Sequence, residues 1–77
     1  MITVRVIEKN SHKPAKGQKV VLIYDGEQGV LTAQYTDANG VAHFDALPGS
    51  GQLWVNDVER RNCYIDWCME VALWSTI

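Results

Sequence analysis

From Ile2 to Leu73 the chain runs in short stretches of alternating or continuous apolar residues, cut by clusters of Gly, Asn, Asp and Pro. Nowhere do apolar residues recur at the three- and four-residue spacing of an amphipathic helix with a cap in front. β structure is therefore the regular structure open to this sequence. A first strand is expected over residues 2–8, with Ile2, Val4 and Val6 on one face and Thr3 and Arg5 on the other. After the polar stretch Asn10–Gly17, a second strand over 18–24 is apolar on both faces: Val20, Leu22 and Tyr24 against Val21 and Ile23. That pattern predicts a central or doubly covered strand.

The turn Asp25–Gly29 leads into a third strand, about 30–36, in which Leu31, Ala33 and Tyr35 alternate with Thr32, Gln34 and Thr36. Thr36-Asp37-Ala38-Asn39-Gly40 reads as a tight hairpin, because Asp supplies a side-chain acceptor and Asn and Gly tolerate positive φ. A fourth strand, about 41–45, turns Ala42 and Phe44 inward and His43 and Asp45 outward; Leu47–Gly51 reads as a corner. The fifth strand, 52–56, places Leu53 and Val55 inward and Trp54 outward, and Asn56-Asp57 marks a two-residue hairpin turn. A sixth strand over about 58–65 and a last over about 68–75 follow. In the last strand Met69, Val71 and Leu73 share one face, and Cys68, Glu70, Ala72 and Trp74 the other. Seven short strands at regular spacing imply an all-β sandwich or small barrel.

At 77 residues, one domain spanning 1–77 is the ceiling. Seven Lys and Arg against nine Asp and Glu, a net charge of −2, leave no electrostatic footprint for nucleic acid, and Arg60 and Arg61 sit beside Glu59 on a solvated strand. No apolar run is long enough to span a bilayer. No basic segment followed by an apolar one opens the sequence, so a cytoplasmic protein is expected.

The chemistry-bearing residues are few. Cys63 and Cys68 match no zinc-ligand spacing with His12 and His43. They could form a disulfide if they face each other across a turn at Ile65-Asp66, although a reducing cytosol favours thiols. His43 with Asp45, or with a cysteine, could act as an acid–base or nucleophilic pair only inside a cleft, and the short loops predict none. Asp25, Glu27, Asp37 and Asn39 lie in turns, and turn chemistry accounts for them without calcium. Neither a metal nor another cofactor is expected. Three tryptophans in so short a chain are many, and the alternation puts Trp54 and Trp74 opposite the core faces. Exposed aromatics mark contact surfaces. They either cover a partner subunit or stack on a ligand such as a sugar ring; the alternative is burial at the ends of the sandwich.

Lys13-Pro14-Ala15-Lys16-Gly17-Gln18-Lys19-Val20-Val21-Leu22, then Tyr35-Thr36-Asp37-Ala38-Asn39-Gly40-Val41-Ala42-His43-Phe44, then Leu47-Pro48-Gly49 and Leu53-Trp54-Val55 resemble the prealbumin-like (transthyretin-like) sandwiches. The same pattern occurs in carboxypeptidase regulatory-like domains and in B-type repeats of bacterial adhesins. The resemblance spans about residues 2–56 and implies a seven-stranded Greek-key, Ig-like β-sandwich. It says little about function, because this hairpin serves to turn the chain. The 5-hydroxyisourate hydrolases of this fold carry a His in the first strand, an Arg after the hairpin Gly and a Tyr-Arg-Gly-Ser ending. Here those places hold Arg5, Val41 and Trp74-Ser75-Thr76-Ile77, so that activity is not carried over. The adhesin repeats often join a Lys to an Asn by an isopeptide bond, for which Lys9, Lys16, Lys19, Asn56 and Asn62 are the residues available.

The expectation is thus a non-enzymatic interaction or scaffold module, homo-oligomeric or bound to another protein, with Trp54, Trp74, Met69 and Val71 as contact residues. A carbohydrate-binding module using Trp54 and Trp74 is the alternative. The last strand, Met69 to Ile77, is almost uncharged, and at a sheet edge it would be a natural site for strand pairing between chains.

Overall fold

The computed structural model describes residues 1–73. Trp74, expected at a contact surface, lies outside the described residues. Seven strands form, β1 (Ile2–Glu8), β2 (Lys19–Tyr24), β3 (Gln34–Tyr35), β4 (Val41–Phe44), β5 (Gly49–Val55), β6 (Val58–Ile65) and β7 (Cys68–Leu73), and the described residues contain no helix. They make two sheets: β4-β1-β7, called sheet A, and β3-β2-β5-β6, called sheet B.

The core lies between the sheets and is built by strand alternation. Ile2, Val4 and Val6 of β1 and Ala42 and Phe44 of β4 meet Val20, Leu22 and Tyr24 of β2 and Leu53 and Val55 of β5. Fully burying an aliphatic side chain of this size contributes roughly 1.5–3 kcal/mol. β2 carries Val21 and Ile23 half-buried on its other face, as its two-sided apolar pattern predicts. The expected inward faces of β1, β4 and β5 are those observed.

Three expectations change. The third strand shrinks from seven residues to the pair Gln34–Tyr35, with only an isolated bridge between Val30 and Ile23 before it. The register against β2 slips by one residue in between, since Ile23 faces Val30 while Val20 faces Gln34, and Thr36 beyond the pair turns inward. Its hydroxyl donates to the Ala15 carbonyl (2.5 Å) and accepts from the Gln18 amide (2.8 Å), while Tyr35 is left exposed. Second, Gly49–Gly51 belongs to β5 rather than to a corner. Gly51 lies opposite Tyr24, and a Cβ on it would run into the Ile23 backbone carbonyl. A Cβ on Gly49 would already touch the Tyr24 ring at 3.4 Å. Gly51 therefore makes room for the close approach of the β2 backbone, and a turn-forming residue here marks close packing.

Third, β6 and β7 do not form a hairpin. β6 ends at Ile65, whose side chain is in the core, and Asp66-Trp67 carries the chain to the other sheet. There β7 runs parallel to β1, Thr3 facing Cys68 and Glu8 facing Leu73. The facing that a possible Cys63–Cys68 disulfide required is absent because of this crossover. Cys63 pairs with Gly51 on the core-facing side of sheet B, and Cys68 lies on the outer side of sheet A; both are exposed free thiols.

Candidate functional site

The two sheets are unequal, and their free margins meet on one side of the molecule. β6 ends sheet B and β7 ends sheet A. Every residue of β6 from Val58 to Tyr64 is exposed, on both faces of the strand. The link between the margins is Arg61. It faces inward beside Leu53 and donates from its guanidinium to the Glu70 carbonyl on β7, at 3.1 Å.

Which backbone groups remain open on these margins follows from the ladders. Asp25 N–H bonds to Ser50 O, and Asn56 N–H to Lys19 O, so the even-numbered residues of β5 face β2 and the odd-numbered ones face β6. Their partners Val58, Arg61, Cys63 and Ile65 spend their backbone groups on β5. Glu59, Asn62 and Tyr64 consequently turn theirs to the free edge. A bulge between Leu53 and Trp54 inserts Arg60 as an extra residue on β6. On β7, Thr3 N–H bonds to Trp67 O and Lys9 N–H to Leu73 O. Odd-numbered residues there serve β1, and Cys68, Glu70 and Ala72 face outward.

The predicted contact residues are divided by this geometry. Val71 is 1% exposed and is part of the core. Met69 is half-buried against the core on the same face. Trp54 is half-buried on the outer face of sheet B, between Val21 and Glu59, and donates its indole N–H to Gln52 at 3.2 Å. The third tryptophan, Trp67, sits in the crossover beside β7 and is 48% exposed. No periodic signal marks it, because it lies between strands.

The other chemistry-bearing residues stay on open surface or in turns. His43, Thr3 and Cys68 form one row across the outer face of sheet A, with Thr3 Oγ1 and His43 Nδ1 3.3 Å apart. β1 stands between the imidazole and the thiol, so they do not meet. Among the described residues no three His, Cys, Asp or Glu side chains are grouped to hold a metal. Lys19 Nζ pairs with Asp57 at 3.0 Å on the surface, which raises the lysine's pKa. Asn56 Oδ1 accepts from the Lys19 backbone amide, and its side-chain nitrogen donates to Gln18. Thr36 is the buried polar residue of the described set, so no buried carboxylate accompanies a Lys–Asn pair there. Two shallow recesses lie among the described residues. One of about 380 Å³ is lined by Tyr24, Asp25, Glu27 and Gly49, and one of about 210 Å³ by Leu31, Thr32, Phe44 and Asp45. Burial raises the Tyr24 phenol's pKa, with a smaller contribution from Tyr64.

Asp37 closes the β3–β4 turn. Its Oδ1 accepts from the amides of Asn39 (2.8 Å) and Val41 (3.0 Å), and these bonds hold its pKa below the ordinary 3.8. A carboxylate with a depressed folded-state pKa stabilises above its unfolded value, and that contribution fades as pH falls through the folded value. Asp37→Asn is therefore expected to lower the melting temperature at pH 7. The gap from the parent protein should begin to close as pH drops below 3.8. A gap unchanged down to pH 2 would show that the charge of Asp37 contributes nothing. No helix among the described residues is long and apolar enough to cross a membrane. No family model, no curated protein and no solved structure matches this chain.

Proposed function

We propose that this chain is a small non-enzymatic β-sandwich module, prealbumin-like in its hairpin and corner motifs, that works by binding protein and first of all by self-association. The observation that carries this reading is the open side: two sheet edges end there together, one of them a strand exposed on both faces over seven successive residues. An edge of this kind offers unpaired amides and carbonyls in a row, the usual template for adding a strand from another chain. A domain this small also gains stability from association that its own core cannot supply. Two exposed thiols held in separate sheets suit a reducing compartment, in keeping with a cytoplasmic module.

The test is solution mass by size-exclusion chromatography with light scattering, in reducing buffer across a wide range of concentration. The expected result is a defined multiple of 8.7 kDa. A monomer at every concentration would remove self-association. The carbohydrate alternative rests on Trp54, whose indole N–H is already committed to Gln52. It predicts that oligosaccharides shift the tryptophan fluorescence of the parent protein and not of Trp54→Phe. Equal shifts in both proteins would end it.

A further inference from the structure

We infer that the second copy docks through β6, antiparallel to its twin about a two-fold axis that passes between the two Cys63 residues. The inference rests on the self-association reading and assigns it an edge and a register. Four edges compete. β3 and β4 are the shorter edges, with two and four residues. On β7, the Glu70 carbonyl, at the middle of the outward set, already accepts from the Arg61 guanidinium, which a strand added there would have to share or displace. β6 is the longest strand among the described residues, and seven of its eight residues are exposed.

The bulge sets the register. It breaks the regular spacing of edge groups between Glu59 and Asn62, so regular pairing is available only over residues 61–65. Within that segment the outward backbone groups belong to Asn62 and Tyr64. Two copies exchange both pairs of hydrogen bonds when Asn62 of each lies opposite Tyr64 of the other. The residue between them, Cys63, then faces its own counterpart at a non-hydrogen-bonded position, where Cα atoms stand about 4.5 Å apart. That separation lies within the range a disulfide can bridge.

Charge agrees with the antiparallel sense. A parallel, in-register pair would stack Glu59 on Glu59 and both arginines on themselves, and like charges directly opposite are unfavourable. The antiparallel pair sets Arg61 opposite Ile65 and carries Glu59 and Arg60 beyond the paired segment.

The test combines mass with cross-linking. The probe is oxidised glutathione: two Cys63 thiols give up two electrons and two protons, one S–S bond forms between chains, and the glutathione disulfide is reduced to two thiols. In reducing buffer a dimer of twice 8.7 kDa is expected. On oxidation Cys68→Ser should cross-link as fast as the parent, and Cys63→Ser should not. Asn62→Pro removes an edge amide that β5 does not use, which an edge strand tolerates. It should weaken the dimer at least about tenfold with the circular dichroism spectrum unchanged, since each chain loses a bond. A dimer that cross-links through Cys68, or through neither cysteine, overturns the β6 register while leaving self-association standing. Slow, equal cross-linking of both single-cysteine proteins also overturns it, as does a dimer indifferent to Asn62→Pro. A monomer throughout overturns both this inference and the reading beneath it.

Discussion

Gly40→Ala is expected to cost about 3–5 kcal/mol of folding stability, a large share of the roughly 4–12 kcal/mol available to a chain of this length. Gly40 sits at φ +74°, a conformation that costs an L side chain about 1–2 kcal/mol. More is lost through contact, because a Cβ there would stand 2.5 Å from the Val6 carbonyl oxygen and 3.1 Å from the Ala15 nitrogen. Relief of that clash must separate the hairpin from β1. The separation puts at risk the bond from Val6 N–H to Gly40 O (2.7 Å) and that from Ala15 N–H to Val6 O (2.9 Å). Gly17 provides the control: it has the same φ of +74°, with nothing within 4 Å of a built Cβ. Gly17→Ala should cost only the backbone share, about 1 kcal/mol. Urea unfolding followed by circular dichroism measures both, and equal losses would show that the approach to β1 is not tight.

Thr36→Val should cost about 2–4 kcal/mol, although the two side chains are almost the same size. Thr36 is 4% exposed, and its hydroxyl serves both the Ala15 carbonyl and the Gln18 amide. Valine removes the donor and the acceptor together. The Ala15 carbonyl then loses its bond in a buried site and the Gln18 amide in a half-buried one, at about 1–3 kcal/mol for a buried group left unsatisfied. Thr36→Ser keeps the hydroxyl and should lose about 1 kcal/mol for the missing methyl. If serine and valine proved equally damaging, the methyl rather than the hydroxyl would be what the site requires.

These two positions also mark how far the sequence could be read. The alternation in Ile2-Thr3-Val4-Arg5-Val6 and in Ala42-His43-Phe44 placed the core faces directly, because one side of each strand is dry. Asp37 and Gly40 gave the hairpin through local chemistry that needs no partner strand. Thr36 was legible as a turn residue but not as a buried one, since its two hydrogen-bond partners come from residues 15 and 18. Gly51 read as part of a corner for a similar reason: what requires it is the backbone of Ile23, a residue on another strand. The crossover after Ile65 was hidden because short turns look alike whether they join strands of one sheet or two. The open side was therefore out of reach of periodicity. It depends on the strand order, and so does the difference between Cys63 and Cys68.

The parallel pairing of β1 with β7 governs when the protein can become itself. β1 is the middle strand of sheet A, and one of its two neighbours comes from the opposite end of the described chain, with Thr3 beside Cys68. Closing so long a loop is slow, and folds dominated by such pairings take milliseconds to seconds. The β5–β6 hairpin, with its two-residue Asn56-Asp57 turn, can form from neighbours alone. During synthesis Val4 and Val6 therefore wait, with one side of their strand unpaired, until β7 has left the ribosome. For that interval β1 is the strand most exposed to wrong partners, and Arg5 at its centre is the charge that discourages them.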